Sequence, residues 1–259
     1  MNNTNIDFHE LASDILEYSY EHKLGHLPSA LSQAQYLHIL LQKLLDFEWF
    51  AGKQFGAQAF FCIYNKMTQE QRYIKKLIDP ALISDYVPPV LCNLNSEFRY
   101  VEKTLGNALG NAIGYAMTTD KPVWVNLPDS VFQMGATLEA IQLIGRLNIR
   151  NLFITIDANG VQRASYNTTS AKHIEKLFEA AEVSVASVDP LHNLEYLDNY
   201  FNKIINFTKD KDYPSQVLIF NTIKGYPFSN LTTNPVKNHY VIMNEDLYNK
   251  TKDSKCVSF

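Results

Sequence analysis

The chain has 259 residues, 46% of them hydrophobic and 19% charged, which is a globular composition and excludes a disordered or collagen-like chain. Its 23 Lys and Arg against 27 Asp and Glu leave a net charge of −4, so there is no global basic footprint for nucleic acid. No stretch approaches the ~20 apolar residues that span a bilayer. The start, Met1-Asn2-Asn3-Thr4-Asn5-Ile6-Asp7, lacks the positive flank and apolar core of a signal peptide. A cytoplasmic location is therefore expected, with neither a membrane nor nucleic acid as partner. Cys62, Cys92 and Cys256 form no CxxC pair and leave an odd count, which suits a reducing compartment and argues against a zinc site. Length alone leaves open a whole enzyme or one part of one.

In chain order, the first third, residues 1–103, reads as helical. Phe8, Leu11, Ile15, Leu16 and Tyr18 recur at near-helical spacing. After a polar loop Ser32 opens a second helical segment carrying Tyr36, Leu37, Leu40, Leu41, Leu44 and Leu45. Residues 47–64 are rich in aromatic and small side chains, 68–76 read as a surface helix or loop, and the three prolines of 79–89 predict irregular structure. From residue 104 the pattern becomes rhythmic. A Gly/Ala-rich helix over 105–117 leads to a strand at 123–125, a helix over 135–146 and a strand at 152–156. A helix over 170–181, a strand at 183–188, a helix over 193–207 and a strand at 216–220 follow. This alternation predicts an α/β fold, a doubly wound, mostly parallel sheet with helices on both faces. No internal repeat or linker divides the chain, so one domain is expected over 1–259, with a tail over 231–259 that lacks a clear period.

Ligands in such folds bind at the carboxyl ends of the strands. The strand at 123–125 runs into Asn126-Leu127-Pro128-Asp129-Ser130, and that at 152–156 into Asp157-Ala158-Asn159-Gly160-Val161. If the two strands are neighbours, the Asp129 carboxylate meets the Asn159 amide, a pair that could serve Mg²⁺, which takes oxygen ligands. The plainer alternative is that Asp129 caps the following turn and Asn159-Gly160 is an ordinary left-handed turn. The helix with Gly106, Gly110 and Gly114 has one nearly bare face, open to a close-packed helix or a cofactor. Of seven histidines, His26 and His239 fall in loop-like surroundings, where catalytic groups concentrate, although each alone could be an ordinary surface histidine.

The order of these pieces resembles a known family. Gly25-His26-Leu27-Pro28-Ser29-Ala30-Leu31-Ser32 resembles the GHPGGSLS segment of transketolases, and the stretch from Leu105 to Gly114 resembles their LGQGLSNAVG helix. Pro128-Asp129-Ser130, with Gly135, Leu138-Glu139-Ala140 and Asp157-Ala158-Asn159-Gly160-Val161-Gln162, is similar to the family's thiamin-diphosphate signature, which opens with GDG and closes with an Asn after a strand. Thr222-Ile223-Lys224-Gly225 and Asn238-His239 match the TvKGkG and WHG landmarks. The resemblance is collinear over roughly residues 20–245.

It implies the domain that binds the diphosphate end of thiamin diphosphate. Asp129, Asn159 and the Val161 carbonyl would hold Mg²⁺, the Ser130 amide would face a phosphate oxygen, and Leu105 and Gly106 would line the cofactor site. His26 and His239 would face the diphosphate and substrate oxygens as catalytic groups, with Glu139 in a polar relay near a subunit boundary. A full transketolase also needs a pyrimidine-binding and a carboxy-terminal domain. The resemblance therefore implies a split enzyme: a transferase subunit inactive alone, completed by a second polypeptide, expected as a heterotetramer, that moves a two-carbon ketol or acyl-anion unit of a small-molecule substrate. The alternatives are a non-catalytic scaffold that kept the fold, or a subunit of a thiamin-diphosphate decarboxylase or 2-oxoacid dehydrogenase.

Departures from the family pattern stand beside the matches. Pro128 and Ser130 replace the glycines that flank the aspartate, Met134 stands where a relay glutamate is usual, and Lys103 takes a family glycine. Gly52-Lys53-Gln54-Phe55 aligns with an SKGH segment, so Phe55 replaces a substrate- and cofactor-facing histidine, which points to a changed substrate or a lost step.

Overall fold

The computed structural model describes residues 5–53, 55–74, 77, 98–102, 104–163, 165–166, 169–191, 194–210 and 214–254. The stretch 79–89, Lys103, Cys92 and Cys256 lie outside these residues. Six parallel strands form one sheet: β1 (Glu48–Ala51), β2 (Phe98–Val101), β3 (Val123–Pro128), β4 (Leu152–Asp157), β5 (Ser184–Val188) and β6 (Gln216–Phe220), in the order β2-β1-β3-β4-β6-β5. This is the doubly wound α/β architecture read from the sequence.

Side chains alternate across the sheet and feed two cores. Trp124, Phe153, Leu218 and Phe220 point to one face, packed by α1 (Phe8–Glu21), α2 (Leu27–Leu40), α3 (Ala57–Lys66) and α8 (Leu194–Lys209). Val123, Val125, Ile154, Val217 and Ile219 point to the other, covered by α5 (Ala108–Ala116), α6 (Gly135–Arg146) and α7 (Ala171–Ala180). Among the described residues the remaining α-helices are α4 (Gln69–Ile74), α9 (Ser229–Thr232) and α10 (Glu245–Lys252). Among the described residues no helix is long and apolar enough to cross a membrane.

The helix over 135–146 and the strand at 216–220 have the bounds read from the sequence. Three expectations are corrected. The first third is not purely helical, because β1 and β2 lie in it; β1 is only four residues long and buried on both faces, so it shows no alternation. The second helix starts at Leu27 rather than Ser32, because Pro28 sits in its first turn, where a missing N–H costs nothing. The tail contains α10, whose start is capped by Asn244 accepting from Leu247 N at 2.9 Å.

Candidate functional site

The site is built at the carboxyl edge, where β1, β3, β4 and β6 end side by side. Pairing of β3 with β4 sets Pro128 opposite Asp157, so the two following loops meet. The Asp129 carboxylate, 2% exposed, accepts the Gly160 amide at 2.7 Å. Gly160 has φ +70° and Asn159 Oδ1 accepts from Val161 N at 3.0 Å, so the left-handed turn is present and Asp129 meets it at the Gly160 amide, while the Asn159 amide nitrogen donates to Asp157. Pro128, with φ −82° and ψ 154°, ends its strand within proline's own range, so this turn works without the glycine of the family pattern.

Next to this turn lies a buried polar hub. Asp157, 0% exposed, accepts Ser32 Oγ at 2.8 and 2.9 Å, Thr222 Oγ1, and Asn159 Nδ2 at 3.2 Å, and it is ion-paired with Lys53. Among the described residues Lys53 Nζ has no further hydrogen-bond partner. Burial and the neighbouring Lys224 ammonium press the Lys53 amine below its ordinary value, while Asp129 works against them. Lys224 is also buried and donates to the Val161 carbonyl at 3.3 Å; burial lowers it to about 8, opposed by Asp129. Two buried ammonium groups at the end of a sheet are charge-assisted donors suited to an anion.

Beyond the lysines stands a cluster of rings. His26 begins α2 in the left-handed region, φ 59°, and is 6% exposed. Phe55 stacks on it at 4.4 Å and 21°, while His239 and Tyr240 meet it edge-on at 5.3 and 4.8 Å. Nδ1 of both His26 and His239 is buried with no partner among the described residues. Burial, then His239 and the cations Lys224, Lys53 and Arg163, hold His26 down to about 3. Burial and the same three cations hold His239 to about 4, against a hydrogen bond with the Gln162 backbone. Both imidazoles are therefore neutral at pH 7.

The structure thus brings Asp129, Asn159, Val161, His26 and His239 to one edge, and Ser130 follows Asp129 in a short 3₁₀ turn (Asp129–Gln133). Gly106, φ +109°, lies under Met134: a Cβ there would be 2.8 Å from the Met134 Cβ. Leu105, beside it, is 40% exposed. Glu139 is not with the histidines. It is exposed on α6 and lines, with Tyr100, Gly110 and Gly114, a groove of about 970 Å³ on the opposite side of the sheet from α2. Sequence alone points to no role for Lys53, Lys224, Asp157, Ser32 or Thr222. A charge ending an apolar run, as in Ile154-Thr155-Ile156-Asp157, was the available signal, since carboxylates are rarely buried without a partner.

The carboxyl edge of a parallel α/β sheet, where such folds bind ligands, here gathers buried lysines, an oxygen-rich turn and two neutral imidazoles. The family comparison is specific: residues 98–256 match the transketolase thiamine diphosphate binding domain, and the chain belongs to that family. A curated relative, 1-deoxy-D-xylulose-5-phosphate synthase of Fusobacterium nucleatum, is 26% identical over 160 residues, 61% of this chain and 26% of that protein. In fold the chain is similar to the transketolase of Leishmania mexicana, with TM-score 0.66, 15% identity, and coverage of 96% of this chain and 41% of that one. The transketolase of Campylobacter jejuni gives 0.60, 17%, 96% and 43%. The chain thus spans about a quarter of the curated relative and about two fifths of these solved transketolases.

Proposed function

We propose that this chain is the diphosphate-binding subunit of a cytoplasmic, thiamin-diphosphate- and Mg²⁺-dependent transketolase-like transferase, working with a second polypeptide that carries the pyrimidine-binding and carboxy-terminal domains. The observation that carries the reading is the convergence of Lys53, Lys224 and the Asp129–Asn159–Val161 turn at one strand edge. Heterotetrameric assembly and transfer of a two-carbon unit belong to the same proposal.

The residues present fit the cofactor's anionic end. Lys53 and Lys224 are buried donors, and Ser130 is the second residue of the short 3₁₀ turn Asp129–Gln133, whose first N–H groups lack partners within the turn. Mg²⁺ wants hard oxygens, and Asp129, Asn159 Oδ1 and the Val161 carbonyl supply one carboxylate and two neutral ones. Among the described residues no cluster of three His, Cys, Asp or Glu forms a metal site, so Mg²⁺ here depends on this mixed set and on phosphate oxygens. Lys224 already donates to Val161 O, so metal binding requires it to turn toward the diphosphate. When bound, thiamin diphosphate supplies the electron sink for carbon–carbon bond chemistry. His26 and His239, neutral and with unpartnered Nδ1 atoms, hold or move a proton at substrate oxygens.

The test is to isolate the tagged full chain with its co-purifying partner and assay thiamin diphosphate in the complex. The expected result is cofactor and Mg²⁺ in the complex, both lost together on Asp129→Ala. A stable complex without cofactor, unchanged by Asp129→Ala, would establish the scaffold alternative. Turnover of a 2-oxoacid would instead favour the decarboxylase or dehydrogenase branch.

A further inference from the structure

Each oxygen-bearing group of the Asp129–Asn159–Val161 turn accepts a hydrogen bond, and the donors are of two kinds. Asp129 accepts the Gly160 N–H at 2.7 Å and Asn159 Oδ1 the Val161 N–H at 3.0 Å, so these donors belong to the backbone of the turn itself. The Val161 carbonyl instead accepts from a side-chain tip, the buried Lys224 ammonium, at 3.3 Å. A positive group therefore sits on one of the oxygens assigned above to Mg²⁺.

The surroundings of Lys224 fix its backbone and leave the stem to move. Thr222 Oγ1 donates to Asp157, and Gln35 clasps Ile223, accepting its N–H at 3.0 Å and donating to its carbonyl at 2.7 Å. On the other side Gly225 has φ +87°, and a Cβ there would lie 2.8 Å from the Leu231 Cβ. With the backbone clamped on both sides, movement of the charge falls on the flexible lysine side chain.

The charges buried at this edge decide when it moves. Asp129 and Asp157 stand against Lys53 and Lys224, all four buried, so the set is electrically balanced. The Asp129 charge acts on both ammonium groups, and the Lys224 charge presses on Lys53. A divalent cation entering alone would leave positive charge uncompensated in a buried site and would meet Lys224 on the Val161 oxygen. A diphosphate entering alone would draw Lys224 away and leave Asp129 short of counter-charge. Entering together, metal and diphosphate give every charge a partner.

We infer that Lys224 is a specificity-determining residue of the binding step: its ammonium holds the cation's place on the Val161 carbonyl and yields it when a diphosphate takes the ammonium, so the site selects a metal–diphosphate pair over the free metal. This rests on the function proposed above, whose metal oxygens it uses. By linkage, the factor by which diphosphate raises metal affinity equals the factor by which metal raises diphosphate affinity.

The test titrates the full chain, without any diphosphate, with Mn²⁺ in place of Mg²⁺ and reads the free ion by electron paramagnetic resonance. Lys224→Met is expected to bind Mn²⁺ about tenfold or more tightly than the unaltered chain, the opposite of what loss of a merely structural lysine would do. Lys224→Arg, which keeps the charge, is expected to bind like the unaltered chain. Lys224→Gln is a second neutral variant that retains a donor for the Val161 carbonyl, and it is expected to tighten Mn²⁺ as well; circular dichroism establishes which variants fold. Asp129→Asn added to Lys224→Met is expected to remove the gain, which assigns the gain to this turn. Unchanged or weaker Mn²⁺ binding in a folded neutral variant, or a gain that survives Asp129→Asn, overturns the inference. In the unaltered complex with its partner, Mg²⁺ is expected to tighten thiamin diphosphate about tenfold or more in calorimetry, and equal affinity with and without Mg²⁺ overturns the inference even where neither neutral variant folds. The same calorimetry separates the two proposals. Cofactor bound at saturating Mg²⁺ with no Mn²⁺ gain in Lys224→Met overturns only this inference; a Mn²⁺ gain with no cofactor bound overturns only the function.

Discussion

Replacing Asp157 by Asn should be among the most damaging single substitutions in this chain. The carboxylate has no solvent exposure and satisfies Ser32, Thr222 and Asn159 while pairing with Lys53. An Asn turns one acceptor oxygen into a donor that faces other donors, and it strips the buried lysine of its counter-charge. Breaking a buried pair from one side costs about 3–5 kcal/mol. Lys53→Met should cost less, roughly 1–3 kcal/mol, because Asp157 would keep its hydroxyl and amide donors. The double variant should cost clearly less than the sum, with a coupling of roughly 0.5–3 kcal/mol. Urea unfolding followed by circular dichroism reads this directly: with a slope of about 3 kcal/mol per molar, Asp157→Asn moves the midpoint down by at least ~1 M. A loss below about 1 kcal/mol, or strict additivity with Lys53→Met, would refute the hub.

Two further outcomes concern Glu102 and the glycines. Glu102 is buried and accepts from Ala108 N at 3.0 Å and from Asn107 N; burial raises its pKa from 4.5 to about 7, against the amide hydrogen bonds. The folded chain therefore holds a proton that the unfolded chain releases between those values. The contribution is full below pH 4.5, declines as pH rises, and is lost above about 7, at most roughly 3 kcal/mol. Midpoints measured from pH 4 to 8 should decline less in Glu102→Gln; an equal decline would place the titration elsewhere. At Gly145 an added Cβ would stand 2.0 Å from the Ala181 carbonyl oxygen, whereas at Gly110 nothing lies within 4 Å. Gly145→Ala should lose roughly 2–5 kcal/mol and Gly110→Ala should be neutral or gain up to ~1 kcal/mol in thermal melts of the chain; similar melts for the two would contradict the helix packing.

Much of the second half was legible because its helices are amphipathic and its strands end in recognisable turns. Residues 135–146 and 216–220 carry their own signals, hydrophobic period and turn chemistry, and fold as read. The first third was harder. β1 has four buried residues and no alternation, so only its pairing with β2 and β3 makes it a strand. Within the site, Asp129, Asn159, Val161, His26 and His239 could be named in advance because they sit in ordered motifs. Glu139 could be named too, but the helix carries it away from the histidines into the groove beside Gly110 and Gly114.

By itself the sequence determined the α/β class, the parallel sheet and the family motif order, since these follow from local periodicity and short-range turn chemistry. Only the tertiary structure decided that Ser32, Lys53, Asp157 and Thr222 form one buried hub, and that Phe55, His26, His239 and Tyr240 form one ring cluster. Ser32 and Thr222 are separated by 190 positions, and no local rule brings them within 2.9 Å. What joins them is the stacking of strand ends in the order β1-β3-β4-β6, a property of long-range pairing.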